Sequence, residues 1–119
     1  MNPQRFAKAV MRTVVDDGVT SYKNIFAHPG TVTEPYWVRV LALYRSLPRS
    51  QRKVVLDIMR QVQVDTVSHL FGILDGSTGL DGRALDLELT ARARKRRVRL
   101  DGGLQDLFLA LEEERRPSR

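Results

Sequence analysis

Cysteine is absent from the sequence, which excludes disulfide bonds, thiolate metal sites and cysteine nucleophiles. A chain without cysteine is typical of a reducing compartment. Long apolar runs are absent as well: the N-terminal stretch MNPQRFAKAVMRTVV has none longer than two or three residues, and no later stretch approaches the ~18 apolar residues of a membrane span. We therefore expect a cytoplasmic protein with neither a signal peptide nor a membrane span.

Histidine is scarce, and ligand patterns for metals or cofactors are missing. The two histidines, His28 and His69, lie in different segments at no recognised ligand spacing. The stretch 75–86 has a passing likeness to a calcium loop, but Leu80 stands where that loop needs glycine and Asp86 stands where it needs a bidentate glutamate. No catalytic constellation is recognisable either. The sequence therefore predicts no metal, no cofactor and no enzymatic activity.

The chain is long enough for one compact core and too short for two. Its 119 residues are 42% hydrophobic, which is ordinary for a globular protein. Internal repeats and long linkers are not found. We expect a single globular domain over residues 1–114 and a solvated tail over residues 115–119.

Apolar residues at helical spacing predict a helix over residues 3–16, with Asn2 as its cap and a proline in its first turn. Gly18 is expected to stop or bend this helix. A second helical piece is predicted over about 20–27. Whether residues 3–27 form one bent helix or two stays open at this point.

Two more helices are predicted in the middle of the chain. The first opens at Pro35 with Thr33 as its cap. The second, the longest, is expected to be capped by Ser50 and to run to about Leu74, where the turn-forming residues 75–79 end it. On a helical wheel the longest helix has a broad apolar face of about 160°, which we expect to lie in the core. This face consists of Val54, Val55, Ile58, Met59, Val62, Leu70 and Ile73.

A polar pair, Asp65 and His69, falls inside that face, four residues apart. One interpretation is an acid–base pair that lines the pocket of a small ligand-binding protein or enzyme. The other is a satisfied polar contact in the core, with Tyr22, Tyr44 or Trp37 as a further partner. The second is favoured because no nucleophile or second carboxylate accompanies the pair.

After residue 84 the apolar period changes from that of a helix to that of a strand. Leucines alternate with polar residues over 84–90, and Val98 and Leu100 alternate with arginines over 96–100, which predicts a β-hairpin. A register in which paired numbers sum to 185 matches apolar with apolar and acid with base. Its pairs are Leu85–Leu100, Leu87–Val98, Asp86–Arg99 and Glu88–Arg97.

These elements together predict an α+β fold that is mainly α, with four or five helices. The hairpin, over about 84–90 and 96–100, lies in the C-terminal half and is followed by a final helix. Because a lone hairpin is marginally stable, the helical body is expected to cover its leucine face.

The stretches VSHLFGILDG (67–76) and LQDLFL (104–109), with alternating strands between them, resemble a loosely defined group of small uncharacterised bacterial proteins. The group has the C-terminal pattern "GILDG … strands … LQDLFL". The resemblance covers about the C-terminal half of the chain. It implies the same helix–hairpin–helix arrangement, and it implies no activity, substrate or catalytic residue.

Six of the 20 basic residues, and no acidic residue, lie between positions 92 and 99, so the rest of the chain is balanced at 14 basic and 14 acidic residues. Arginine predominates here and favours bidentate contacts with carboxylate or phosphate. We expect an acidic protein surface as the partner. Nucleic acid is less favoured, because no helix-turn-helix, zinc finger or stacking aromatic accompanies the charge. The candidate contact residues are Arg92, Arg94, Lys95, Arg96, Arg97 and Arg99.

The alternative for this segment is structural. Arg97 and Arg99 would then only pair across the hairpin with Glu88 and Asp86, and the other four basic residues would form a solvated turn. Extra apolar positions outside the main stripes usually indicate a fully covered core helix, and they leave a partner or dimer face open as well. They are Leu56, Val67, Phe71, Leu74 and Leu109.

The sequence as a whole predicts a non-catalytic, cytoplasmic protein-binding module that docks an acidic partner through its basic hairpin. Proteins of this size and kind are similar in type to immunity proteins and antitoxins, which inactivate a toxin by binding it. No membrane contact is expected, and a homodimer stays open.

Overall fold

The computed structural model describes residues 1–115 and is mainly helical. The hairpin lies between the long fourth helix and the last one, which confirms the predicted α+β class. Every helix among these residues is too short or too polar to cross a membrane. The elements are α1 (Pro3–Val10), a π-helical segment (Met11–Asp16), α2 (Asp17–Ala27), α3 (Pro35–Ser46), α4 (Arg49–Asp75), β1 (Thr90–Ala93), β2 (Arg96–Arg99) and α5 (Leu104–Arg115).

The first residue of the predicted tail is helical. Arg115 belongs to the last turn of α5, and its guanidinium pairs with the carboxylate of Asp16. The other four tail residues, 116–119, lie outside the described residues.

Residues 3–27 form one uninterrupted helix, which answers the question that the sequence left open. Gly18 lies inside this helix and does not end it. The π-helical segment widens one turn, and the Gln63 side-chain amide of α4 lies 3.1 Å from the carbonyls of Val14 and Val15, to which it donates when its nitrogen is turned toward them. A Cβ at position 18 would lie 2.9 Å from the end of the Gln63 side chain. Glycine therefore leaves room for the side chain that satisfies the widened turn.

The core joins the N-terminal helix, the C-terminal half of α4 and α5. Phe71 and Phe108 meet edge to face with ring centroids 5.5 Å apart, and Phe108 is fully buried. Burying a side chain of this size contributes about 1.5–3 kcal/mol. The core cluster consists of Met11, Val15, Val64, Val67, Phe71, Leu104 and Phe108.

Helix α4 turns the opposite face to the core from the one predicted. The predicted core residues Val54, Ile58, Val62 and Leu70 are 53–58% exposed, and no residue of α4 is fully buried from its start at Arg49 to residue 63. The helical wheel identifies the most apolar face correctly, but α1 and α5 dock on the other side of the helix. The prediction failed because a helical wheel uses the sequence of one helix alone, whereas the buried face depends on which other helices pack against it.

Two of the predicted helix caps are wrong by one or two residues. Glu34, not Thr33, caps α3, and its carboxylate accepts from the backbone N–H groups of Tyr36 and Trp37 at 3.2 Å. Helix α4 begins directly after Pro48, so the predicted cap Ser50 lies inside its first turn.

The end of α4 and the start of α5 are joined by one carboxylate. Helix α4 ends at Gly76, which has the left-handed φ of 82° expected from this turn sequence. The carboxylate of Asp75 accepts hydrogen bonds from the backbone N–H groups of Gly102 (2.7 Å), Leu104 (3.1 Å) and Gln105 (2.8 Å). Asp75 therefore satisfies N–H groups that a helix start leaves without partners, from a position outside that helix.

A close approach between α4 and α5 accompanies this cap. The Gln105 amide donates to the Ser68 carbonyl at 3.0 Å, and a Cβ at Gly72 would lie 2.9 Å from the same amide nitrogen. Glycine at position 72 thus allows α5 to lie against the α4 backbone.

The hairpin has a different register from the one predicted. Residues 84–89 are not part of a strand, and paired residue numbers sum to 189, with Ala91 opposite Val98 and Ala93 opposite Arg96. The strands close on a two-residue turn, 94–95, in which Arg94 has a φ of 56°. Because turn length fixes register, this tight turn extends pairing toward the tip. The predicted register would have placed the tip at Arg92 and Ala93, two residues earlier in the chain.

We predict that Asp75→Ala lowers the free energy of unfolding by about 2 kcal/mol, because three N–H groups at the start of α5 lose their acceptor. Urea denaturation of the wild type and the variant measures the difference. Asp86→Ala, at an exposed aspartate, is the control and should be close to neutral. Equal stability of the Asp75 variant and the control would contradict this role.

Candidate functional site: the basic hairpin

The basic hairpin, residues 90–99, is anchored at its base by Asp101. One carboxylate oxygen accepts from the Leu89 N–H at 2.8 Å, and both oxygens accept from the Arg99 guanidinium at 3.0–3.2 Å. Glu88 lies 3.5 Å from the same guanidinium. The Asp101 side chain is only 2% exposed, and Leu100 beside it is equally buried. The base of the hairpin is therefore a fixed, hydrogen-bonded structure.

The electrostatics of this base follow from its contacts. The hydrogen bond from Arg99 holds the pKa of Asp101 below its usual range, with a further contribution from the Leu89 N–H. The same hydrogen bond raises the pKa of Arg99. Arg99, one of the six candidate contact residues, is thus already bound to acidic side chains of the same protein, Asp101 and Glu88. We therefore assign Arg99 a structural role.

The two faces of the hairpin differ sharply in chemistry. Directly opposed residues share a face, so Ala91 and Val98 lie on one face, in line with Leu89 and Leu100 at the base. That face is partly buried. The opposite face is exposed throughout and bears Thr90, Arg92, Arg97 and Arg99.

Arg92 and Arg97 are directly opposite each other on the exposed face. Like charges at this separation, ~5 Å between Cβ atoms, destabilise a strand pair. Within residues 1–115, neither arginine forms an ion pair with an acidic side chain, and the same holds for the exposed Arg94, Lys95 and Arg96 at the tip. Five cationic side chains are therefore brought together without internal compensation.

The acid–base pairing predicted across the hairpin is wrong. Glu88 lies beside Arg99, where Asp86 was expected, and Arg97 faces Arg92 instead of Glu88. The shifted register moves both acidic residues out of the paired strands, toward the base. The structural interpretation therefore accounts for Arg99, whereas the arginines nearer the tip form no ion pair with an acidic side chain of residues 1–115.

The predicted buried pair, Asp65 and His69, is exposed. Both residues lie on the side of α4 away from its buried residues Val64, Val67 and Phe71, so the core environment expected for them does not exist. Asp65 accepts a hydrogen bond from the Gln61 amide at 2.8 Å. The expected aromatic partners are engaged elsewhere: Tyr44 stacks on Phe26 at 4.2 Å.

An apolar groove between α3 and the N-terminal half of α4, with α2 at its rim, was not predicted from the sequence. Its volume is about 430 Å³, and Gln63 is the most polar of the residues that line it. The broad apolar face of α4 was the available signal, although it was read as core. Prominent lining residues are Tyr36, Trp37, Val40, Val55, Ile58 and Val62.

Among residues 1–115, no three histidine, aspartate or glutamate side chains gather closely enough to hold a metal ion. Comparison with protein-family models, with curated proteins and with solved structures finds no match for this chain. The arrangement of the hairpin and the groove is thus the basis for any functional assignment.

We predict that Asp101→Asn lowers the free energy of unfolding at pH 7. The gap in unfolding free energy between the wild type and the variant should narrow as the pH falls below about 4. A carboxylate whose pKa is lowered by folding contributes stability above its unfolded pKa, and this contribution is lost as the pH falls through the folded value. Urea denaturation of both proteins at several pH values between 7 and 3 provides the test. A difference that stayed constant over this range would show that folding leaves the acidity of Asp101 unchanged.

Proposed function

We propose that the protein is a non-catalytic binding module that docks an acidic surface of a partner protein through its basic hairpin. The observation that supports this most strongly is the juxtaposition of Arg92 and Arg97 on an exposed face with no acidic side chain of residues 1–115 beside them. The pair costs stability within the isolated fold. A partner that supplies carboxylates removes this cost and gains two guanidinium contacts.

The composition of the site favours carboxylate ligands. A guanidinium presents a planar fork of donors that matches a carboxylate bidentately. Neighbouring forks on two paired strands hold a fixed spacing, which a folded partner with paired acidic residues can match. Arg94 and Lys95 form the turn, and Arg96 lies opposite Ala93 on the other face, so positive charge continues around the tip.

The charge distribution of the whole chain supports the same proposal. Outside residues 92–99 the basic and acidic residues are equal in number. The net charge of +6 is therefore concentrated on one projecting element. Such a concentration orients the encounter with an acidic partner and accelerates association at low ionic strength.

The type of module that we propose is one similar to immunity proteins and antitoxins, acting in the cytoplasm. Its small size and lack of a recognisable catalytic constellation fit a protein whose activity is to occupy the surface of another protein. The exposed face of the hairpin has no aromatic side chain on which a base could stack, so nucleic acid is the less favoured partner.

The first test removes the charge at the tip. We predict that replacing Arg94, Lys95, Arg96 and Arg97 together with serine abolishes capture of a specific partner from nuclease-treated lysate of the source cell. The matched control replaces Lys8, Lys23, Arg39 and Arg49, four exposed basic residues elsewhere, and should retain capture. Equal loss in both variants would indicate that total charge matters and that the hairpin is not the docking site.

Nucleic acid is distinguished by the same two variants. Binding of short DNA or RNA by the wild type at low salt, lost steeply as salt rises and lost in the hairpin variant, would assign the site to phosphate and overturn the proposal of a protein partner.

The second test separates binding from folding. We predict that Arg97→Glu stabilises the protein by about 0.2–1 kcal/mol, because Arg92 gains an opposite charge directly across the strand pair. The same variant should lose partner capture. A more stable variant that still captures the partner would place the docking surface elsewhere, whereas a less stable one would show that Arg97 supports the fold.

A further inference from the structure

The N-terminal half of α4 presents an apolar ridge to solvent. Val54, Ile58 and Val62 follow one another at four-residue spacing and are 53%, 58% and 57% exposed. The apolar groove lies directly beside this ridge, and Ile58 and Val62 belong to both. On the other wall of the groove, Tyr36 of α3 is 56% exposed. Contiguous apolar surface of this kind marks an interaction site on a folded protein.

This end of the molecule has little core of its own. Leu41 is the buried residue of α3, and the buried residues of α4 begin at Val64. The radius of gyration is 17.7 Å, against about 13–14 Å for a compact domain of this length. Because helices in proteins are stabilised mainly by packing of an apolar face, α3 and the first half of α4 need additional cover.

We propose that the cover is a second copy of the same chain, bound so that the apolar ridge of each copy enters the apolar groove of the other near Ile58. A two-fold interface uses the same patch on both copies, so it requires a surface that is complementary to itself. Here the convex ridge and the concave groove lie side by side on one surface. Each copy therefore carries both halves of the contact.

The size and the chemistry of the surface fit this occupant. Helices of these lengths lying side by side offer a footprint on the order of 600 Å², before the contribution of α2, and a standard interface covers about 800 Å² on each partner. The groove lining contains no charged side chain. A groove without fixed charges provides no recognition element for an acidic or basic partner, and it matches the uncharged ridge.

Charge repulsion does not oppose the association. The basic hairpin is attached at the C-terminal end of α4, where Asp75 binds Gly102 and Leu104. From Val62 to Asp75 the helix rises about 20 Å, which exceeds the ~8 Å screening length at physiological ionic strength. The dimer face and the hairpin are therefore separate surfaces, and the two proposals stand or fall independently.

The experiment is a measurement of mass in solution. Sedimentation or light scattering of the full chain at micromolar concentration should give twice the 13.6 kDa of one chain. Ile58→Asp, at the centre of the ridge, should give the mass of one chain. Leu109→Asp is the matched control, because Leu109 is also exposed (43%) but lies on α5, and this variant should keep the double mass. A wild type that stays monomeric into the high micromolar range overturns the proposal, as does a folded Ile58 variant that remains dimeric.

A second measurement avoids any loss of folding in the aspartate variant. The chain has no cysteine, so Ile58→Cys introduces a single thiol next to the proposed two-fold axis. Mild oxidation should link most of this variant into a covalent dimer, while Leu109→Cys should give little. Equal crosslinking of the two variants would overturn the placement of the axis.

Discussion

The carboxylate of Asp75 closes the loop from which the hairpin projects. Asp75 is the last residue of α4, and its carboxylate accepts hydrogen bonds from the N–H groups of Gly102, Leu104 and Gln105, so the chain leaves and re-enters the helical body at nearly one point. Residues 76–101 therefore form a long connection whose two ends are held close together. Asp101 then holds the strands at the base. The basic side chains of residues 92–99 are exposed within this segment and take no part in the core cluster.

The structure divides its tasks along the length of α4. The C-terminal half of this helix supplies Val64, Val67 and Phe71 to the core and holds the hairpin base. The N-terminal half buries little and, with α3, forms the apolar groove. A substitution at a groove residue such as Val55 or Ile58 therefore leaves the core cluster intact. The basic hairpin and the apolar groove thus lie at opposite ends of α4.

Sequence patterns predicted most of the helices correctly, but they predicted poorly which faces of these elements pack together. Asn2 and Gly76 mark helix ends through local backbone chemistry, and both positions were predicted correctly. The buried face of α4 depends on where α1 and α5 dock, which is not local, and so Asp65 and His69 were placed in a core that lies on the other side of the helix. The hairpin register depends on the turn at 94–95, whose sequence lacks the usual glycine or asparagine signal. The arginine cluster was visible in the sequence, but the face on which Arg92 and Arg97 meet required the register.

The π-helical segment controls the rotational phase of the N-terminal helix. Its buried residues Ala7, Met11, Val15 and Val19 recur every four positions, whereas a regular α-helix of 3.6 residues per turn would rotate each successive one away from the core. The widened turn absorbs this drift. Removal of one residue from the segment would change the spacings of these buried residues from 4, 4 and 4 to 4, 3 and 4, which a regular α-helix keeps on one face. The widened turn therefore accommodates one extra residue while Phe26 and the rim of the apolar groove stay on the same side of the helix.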